Sequence, residues 1–178
     1  MPTLENVVNQ ALDLVGYSDH VGNIYEGSKA SVIALDTWGE TRDEVLALQP
    51  WYFARSEALL TAASGTPPAP WLYQFAYPAA SVRLLMLRPA TVPLDPAPVR
   101  WHEYIDPTIT ATAAQRTILA SFSPAYAVFT ARVLDTSVWP ADFTIAVIQM
   151  LAKKFEVELG RPLPQRPQRP PQQEAPPQ

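Results

Sequence analysis

Twenty of the 178 residues are proline, and their placement limits what this chain can become more than any other feature. Proline lacks a backbone N–H, fixes φ and pushes the residue before it out of the helical region, so it is excluded from helix interiors and central strands. The chain falls into two proline-poor stretches, a proline-punctuated middle third and a proline-rich end. Helices are expected in the first, short strands in the second, and neither in the third.

In the first stretch, Leu4, Val7, Val8, Ala11, Leu12 and Val15 recur at helical spacing after Thr3, which suits an N-cap. Glu5 falls in the first turn and Gly16 follows the last periodic position. This predicts an amphipathic helix over 3–15. Residues 17–27 are polar, contain Gly22 and Gly27, and read as a loop. A second helix is expected over 28–48, with Ala30, Ala34, Trp38, Thr41, Val45 and Leu48 on its buried stripe and Pro50 stopping it. A third, over 140–159, begins with Pro140 at its first position and Asp142 near the positive end. Lys153 and Lys154 stand toward the negative end, Gly160 and Pro162 close the helix, and Phe143, Val147, Met150, Leu151, Phe155 and Leu159 form its apolar face.

Between them, residues 52–134 read as β-rich. Strands are expected over 52–59, 82–88, 99–104, 117–122 and 127–134, with Ser64–Pro70 as a turn. The predicted fold class is α+β: a helical bundle of three main helices with a small, proline-punctuated antiparallel sheet. Length favours one domain over residues 1–160.

From Arg161 onward 7 of 18 residues are proline and 5 are glutamine. That composition cannot build a core and favours an extended polyproline II arm over 161–178. The arm holds Arg161, Arg166 and Arg169 against Glu174, a charge of +2, which leaves −6 on the rest of a chain whose net charge is −4. An acidic body argues against gripping nucleic acid by phosphate neutralisation. With 17% charged and 48% hydrophobic residues the body can fill a core beneath a lightly charged surface, the kind that meets other proteins. No stretch has the roughly 18 continuous apolar residues of a membrane helix, so no membrane partner is expected.

Residues that carry chemistry are sparse. Without cysteine there is no disulfide, thiolate site or cysteine nucleophile, and His20 and His102 are the only histidines. Gly22 and Gly27 followed by Ser28-Lys29 invert the order of a phosphate loop and lack the strand that should precede it. Asp43 and Glu44 read as the solvated side of a helix. Trp51, Trp71, Trp101 and Trp139 lie near element boundaries and, with few basic neighbours, are expected to pack the core rather than stack on bases. No catalytic residue, cofactor or metal ligand is therefore expected. Two other readings remain open: a small metal-dependent hydrolase or nuclease, which needs acidic residues converging in space, and a ligand for an SH3-like domain. Arg161, Pro164 and Pro167 have the spacing for the second.

The stretch from Tyr25-Glu26 to Pro50-Trp51-Tyr52-Phe53-Ala54-Arg55 resembles the head-tail connector or adaptor proteins of tailed bacteriophages, the tail tubular protein A-like group. Arg42-Asp43 matches the pair that ends a helix in that group, and Pro50 to Ala54 matches its proline-tryptophan-x-phenylalanine-alanine signature. The likeness continues through Trp71, Tyr73, Phe75, Tyr77, Pro78 and Arg83, a strand ending in Asp135, and a last helix from Phe143 to Leu159. It covers roughly residues 3–160. Tyr77-Pro78-Ala79-Ala80 stands where the group often has Leu-Pro-Ala-Asp, so a contact of that aspartate is missing.

The resemblance implies a virion neck protein assembled in the host cytoplasm. It would form a dodecameric ring beneath the portal protein, contact a downstream tail or nozzle protein, and let double-stranded DNA pass without specific binding. Interface candidates on that reading are Arg42, Asp43, Pro50, Trp51 and Phe53 in the body. In the arm they are Arg161, Pro162, Leu163, Pro164, Arg166, Pro167, Arg169 and Pro170.

Overall fold

A computed structural model describes residues 3–90, 99–107 and 116–160. The fold is mixed, with three helices and two small antiparallel three-stranded sheets. The arm residues named above, and Pro93, Pro96 and Pro98 of the middle third, lie outside the described residues.

Helix α1 (Leu4–Leu14) starts as its sequence dictates: the Thr3 side chain accepts from Asn6 N, and Val7, Val8, Ala11 and Leu12 are buried. Gly16 follows at φ +69°, a left-handed value that costs glycine little. Helix α2 (Lys29–Leu48) is capped by Ser28, whose hydroxyl accepts from Ser31 N, and it ends where Pro50 forces Gln49 into an extended conformation. Its stripe differs from expectation at the end. Leu46 is fully buried, whereas Leu48 is 64% exposed. The cause is the return of the chain: Trp51 donates from Nε1 to Val45 O at 2.7 Å and covers the Val45 side of the last turn.

Helix α3 (Ala141–Leu159) packs against both other helices. It begins at Ala141 with Pro140 as its cap, one position later than expected. Phe143, Val147, Leu151 and Phe155 are buried, and Gly160 ends the helix at φ +66° with its N–H on Glu156 O. Lys153 and Lys154 precede the last turn, so they do not serve the helix dipole. Lys154 instead reaches across to Glu40 at 2.9 Å and Glu44 at 3.3 Å on α2.

The expected strand over 52–59 is divided. Residues Tyr52–Ala54 form a 3-10 turn in which Ala54 N bonds Trp51 O, and β1 is Arg55–Leu59. The remaining strands are β2 (Tyr73–Ala76), β3 (Ser81–Pro89), β4 (Trp101–Ile105), β5 (Arg116–Ala120) and β6 (Ala125–Ala131). The single expected sheet is two, ordered β1-β6-β3 and β2-β5-β4. The unforeseen strand β2 makes the difference by pairing with β5, Phe75 opposite Ile118. The last strand stops at Ala131 rather than 134, because Arg132 N turns to Ala80 O and its side chain turns to α2.

Among the described residues there are two apolar cores. One joins the three helices to Trp51, Ala54 and Trp139, with Val82 and Val133 packed against it from the sheet side. The other lies between the sheets, where Leu84, Leu87, Ala127 and Phe129 meet Phe75, Ile118 and Ala120. Alternate residues of β5 and β6 face this second core, as the pleat requires, whereas in β3 a register shift between Leu84 and Met86 brings Leu84 and Leu87 to the same side.

Candidate functional site

Arg42, Asp43 and the stretch from Pro50 to Ala54 lie at the joint between the helical layer and the first sheet. Arg42 donates to Asp43 Oδ1 from Nε at 2.9 Å and from Nη2 at 2.8 Å, while Arg132 Nε donates to Asp43 Oδ2 at 2.7 Å. Each carboxylate oxygen is thus occupied by one guanidinium. Arg42 is 8% exposed, and a cation so far from water needs such a partner. Asp43 therefore does not stand on a solvated face; the β6 exit brings Arg132 onto it. Beside it, Arg83 Nη1 donates to Ala47 O at 3.2 Å, a second tie from strand to helix.

A chain of aromatic contacts lines the same joint. Trp51 and Phe53 both meet Phe143 edge-on with centroids 4.9 Å apart, Trp139 meets Phe143 at 4.8 Å, and Trp38 stacks on Trp139 at 5.5 Å. Trp51 and Trp139 are buried, whereas Trp71 and Trp101 are half-buried. Facing the other way at this corner, Tyr52 is 93% exposed, and Leu48 and Pro50 are exposed beside it. The sequence placed the contact candidates at Pro50, Trp51 and Phe53; the 3-10 turn sends Trp51 and Phe53 inward and leaves Pro50 with Leu48 and Tyr52 outside. Leu48 is expected from sequence on the buried stripe, where the 3.6-residue period from Thr41 and Val45 puts it, and Tyr52 is not among the contact candidates.

Elsewhere charged groups are held both by chain neighbours and across elements. Glu26 accepts from Gly22 N, Asn23 N and Ser28 Oγ, and these bonds, Ser28 foremost, hold its carboxyl below its usual value. The Ser137 hydroxyl and amide do the same for Asp135. Burial opposes the charge on Lys154, but Glu40 and Glu44 outweigh it and its ammonium titrates above its usual value. Burial raises the Tyr77 phenol, under the Arg116 guanidinium 3.9 Å from its ring centre. His20 bonds Asp13 at 2.7 Å in the open.

A buried polar cluster sits on the outer face of the second sheet. Gln74 Nε2 donates to Asp106 Oδ2 at 2.9 Å and to Thr117 Oγ1 at 3.2 Å, and Thr117 donates to Tyr104 O. Gly65 lies so close that a Cβ there would be 2.7 Å from Asp106 Oδ2. Beside this cluster Trp71 stacks on His102 with planes 10° apart.

Among the described residues no three His, Asp or Glu side chains gather around a point that could hold a metal ion, and no helix is long and apolar enough to cross a membrane. The arrangement is one of closely packed aromatic and charged joints beside an exposed apolar corner. No protein-family model matches this chain, and no curated protein matches it either.

Proposed function

We propose that this protein is a structural head-to-tail adaptor of a tailed bacteriophage. In this reading copies of the body form a dodecameric ring docked on the portal protein, continuing the DNA channel toward a downstream tail or nozzle protein in the virion neck. The extended arm over 161–178 reaches the portal. Its action is assembly, without catalysis or a cofactor.

The observation that carries the reading is the corner at the proline-tryptophan signature. Trp51 and Phe53 are spent inside on Phe143, which stiffens the joint, while Leu48, Pro50 and Tyr52 face solvent. A rigid, exposed apolar corner is what repeated contact between identical subunits requires, because little ordering entropy is then lost on association. The acidic body also fits a channel through which DNA passes without sticking, since like charges keep phosphates off the wall.

Native mass spectrometry of the protein mixed with the portal protein of the same genome tests this, with the full chain beside a form ending at Gly160. The reading expects a portal-dependent ring that weakens on truncation. Portal-independent monomers in both forms would overturn it.

A further inference from the structure

The outer face of the second sheet is buried at Gln74, Leu119 and Thr117, and flat rings reach the surface at its margin. Antiparallel register sets Gln74, Leu119 and His102 on one face, with Tyr104 two residues along on the same side. Trp71 lies over the exposed His102 ring, Tyr104 is half-buried next to the Thr117 bond, and Leu72 is 65% exposed at the margin. The underlying cluster of Gln74, Asp106 and Thr117 fixes this ledge in place.

We propose that in the chain free of portal this ledge is a docking site for a polyproline II segment and that its occupant is the chain's own arm, residues 161–178. Aromatic planes on a firm sheet receive pyrrolidine rings, and the polyproline II helix is preordered, so docking loses little entropy. In the arm, Arg161, Pro164, Pro167 and Pro170 recur every third residue, which in polyproline II sets them on one face. Reach is sufficient: 18 residues extend roughly 55 Å as polyproline II, whereas a compact body of this size has a radius of gyration of about 15 Å. Tethering makes the encounter intramolecular, at an effective concentration on the order of millimolar. The opposite charges of arm and body, +2 against −6, favour the arm lying on its own body.

The two helical grooves fit the arm less well. The α2–α3 groove, with Met150 and Val157 among balanced lysines and glutamates, presents no aromatic ring to receive proline. The α1–α3 groove, with Leu14 and Ile145, offers no aromatic ring. The proposal does not rest on portal binding and is tested without a portal.

The test uses the full chain carrying a photoreactive benzoylphenylalanine at Leu163, as an equal mixture of isotopically light and heavy protein irradiated at low concentration. Mass spectrometry is expected to find light–light and heavy–heavy links from residue 163 to the segments holding Trp71 or His102. Their yield should fall roughly five- to tenfold in His102→Ala, the weight of one lost ring contact. It should fall at least as far when Pro164, Pro167 and Pro170 are all changed to alanine, which leaves the body untouched. Links that fall mainly on either helical groove, mixed light–heavy links, absence of links, or yields unchanged by both variants would each overturn the proposal.

Discussion

Arg132 Nε lies 2.7 Å from Asp43 Oδ2, joining the exit of β6 to the C-terminal half of α2. The other oxygen of that carboxylate holds Arg42, so one aspartate couples the two layers of the fold.

Asp43→Ala should therefore cost more than Arg132→Ala. The first leaves the Arg42 side chain, 9% exposed, without its anion, and a cost of about 2–3 kcal/mol is expected. The second removes a guanidinium that is 41% exposed, and solvent screening should hold its cost below about 1 kcal/mol. Urea denaturation of the two variants checks the order; equal losses would contradict this account of the joint.

Two neighbours in the signature should separate stability from assembly. Trp51→Ala opens the aromatic cluster and frees the Val45 carbonyl, so a loss of about 3–5 kcal/mol is expected. Tyr52→Ala, at a residue 93% exposed, should change stability by less than about 0.5 kcal/mol while weakening ring formation on the portal. Thermal melts and native mass spectrometry read the two effects independently.

Gly65→Ala should destabilise the second sheet by about 1–3 kcal/mol, because its Cβ would stand 2.7 Å from the Asp106 carboxylate and 3.1 Å from Gln74 Oε1. Both neighbours are buried and hydrogen-bonded, so neither can swing aside cheaply. Hydrogen exchange should show the added loss of protection concentrated in β2, β4 and β5.

The Lys154 contacts give a pH dependence with a definite sign. Its folded-state pKa is raised by Glu40 and Glu44, so the stabilisation is fully present below the ordinary lysine value of about 10.4 and is lost as pH rises through the folded value. The stability difference between the native chain and Lys154→Met should be constant from neutral pH to about 9 and shrink above about 10.4. A difference already shrinking near neutrality would contradict it.

The helices were legible because their signals are local. Thr3, Ser28 and Gly160 mark ends that depend on a few neighbouring residues, and proline confines the strands between them. What sequence hid was nonlocal. Strand β2 spans only Tyr73–Ala76, and its two central residues face opposite sides yet are both buried, so it shows no alternation. Its existence depends on pairing with β5, more than forty residues away, and on cover from Gly65 and Asp106. Asp43 read as solvent-facing because its second partner, Arg132, lies 89 residues on. At the signature corner the core placement of Trp51 was legible from its aromatic character, whereas the inward direction of Phe53 was not, because Phe143 sets it from α3. Lys154 fitted a dipole argument within its own helix, and only the packing of α2 against α3 revealed Glu40 and Glu44 as its partners.

Electron microscopy of the full chain mixed with the portal protein of its own genome tests the central claim most directly. The adaptor reading predicts a ring coaxial with the portal, with density for the Leu48–Tyr52 corner against the adjacent subunit. Portal particles that carry no added ring, at protein concentrations where the chain is folded, would contradict it.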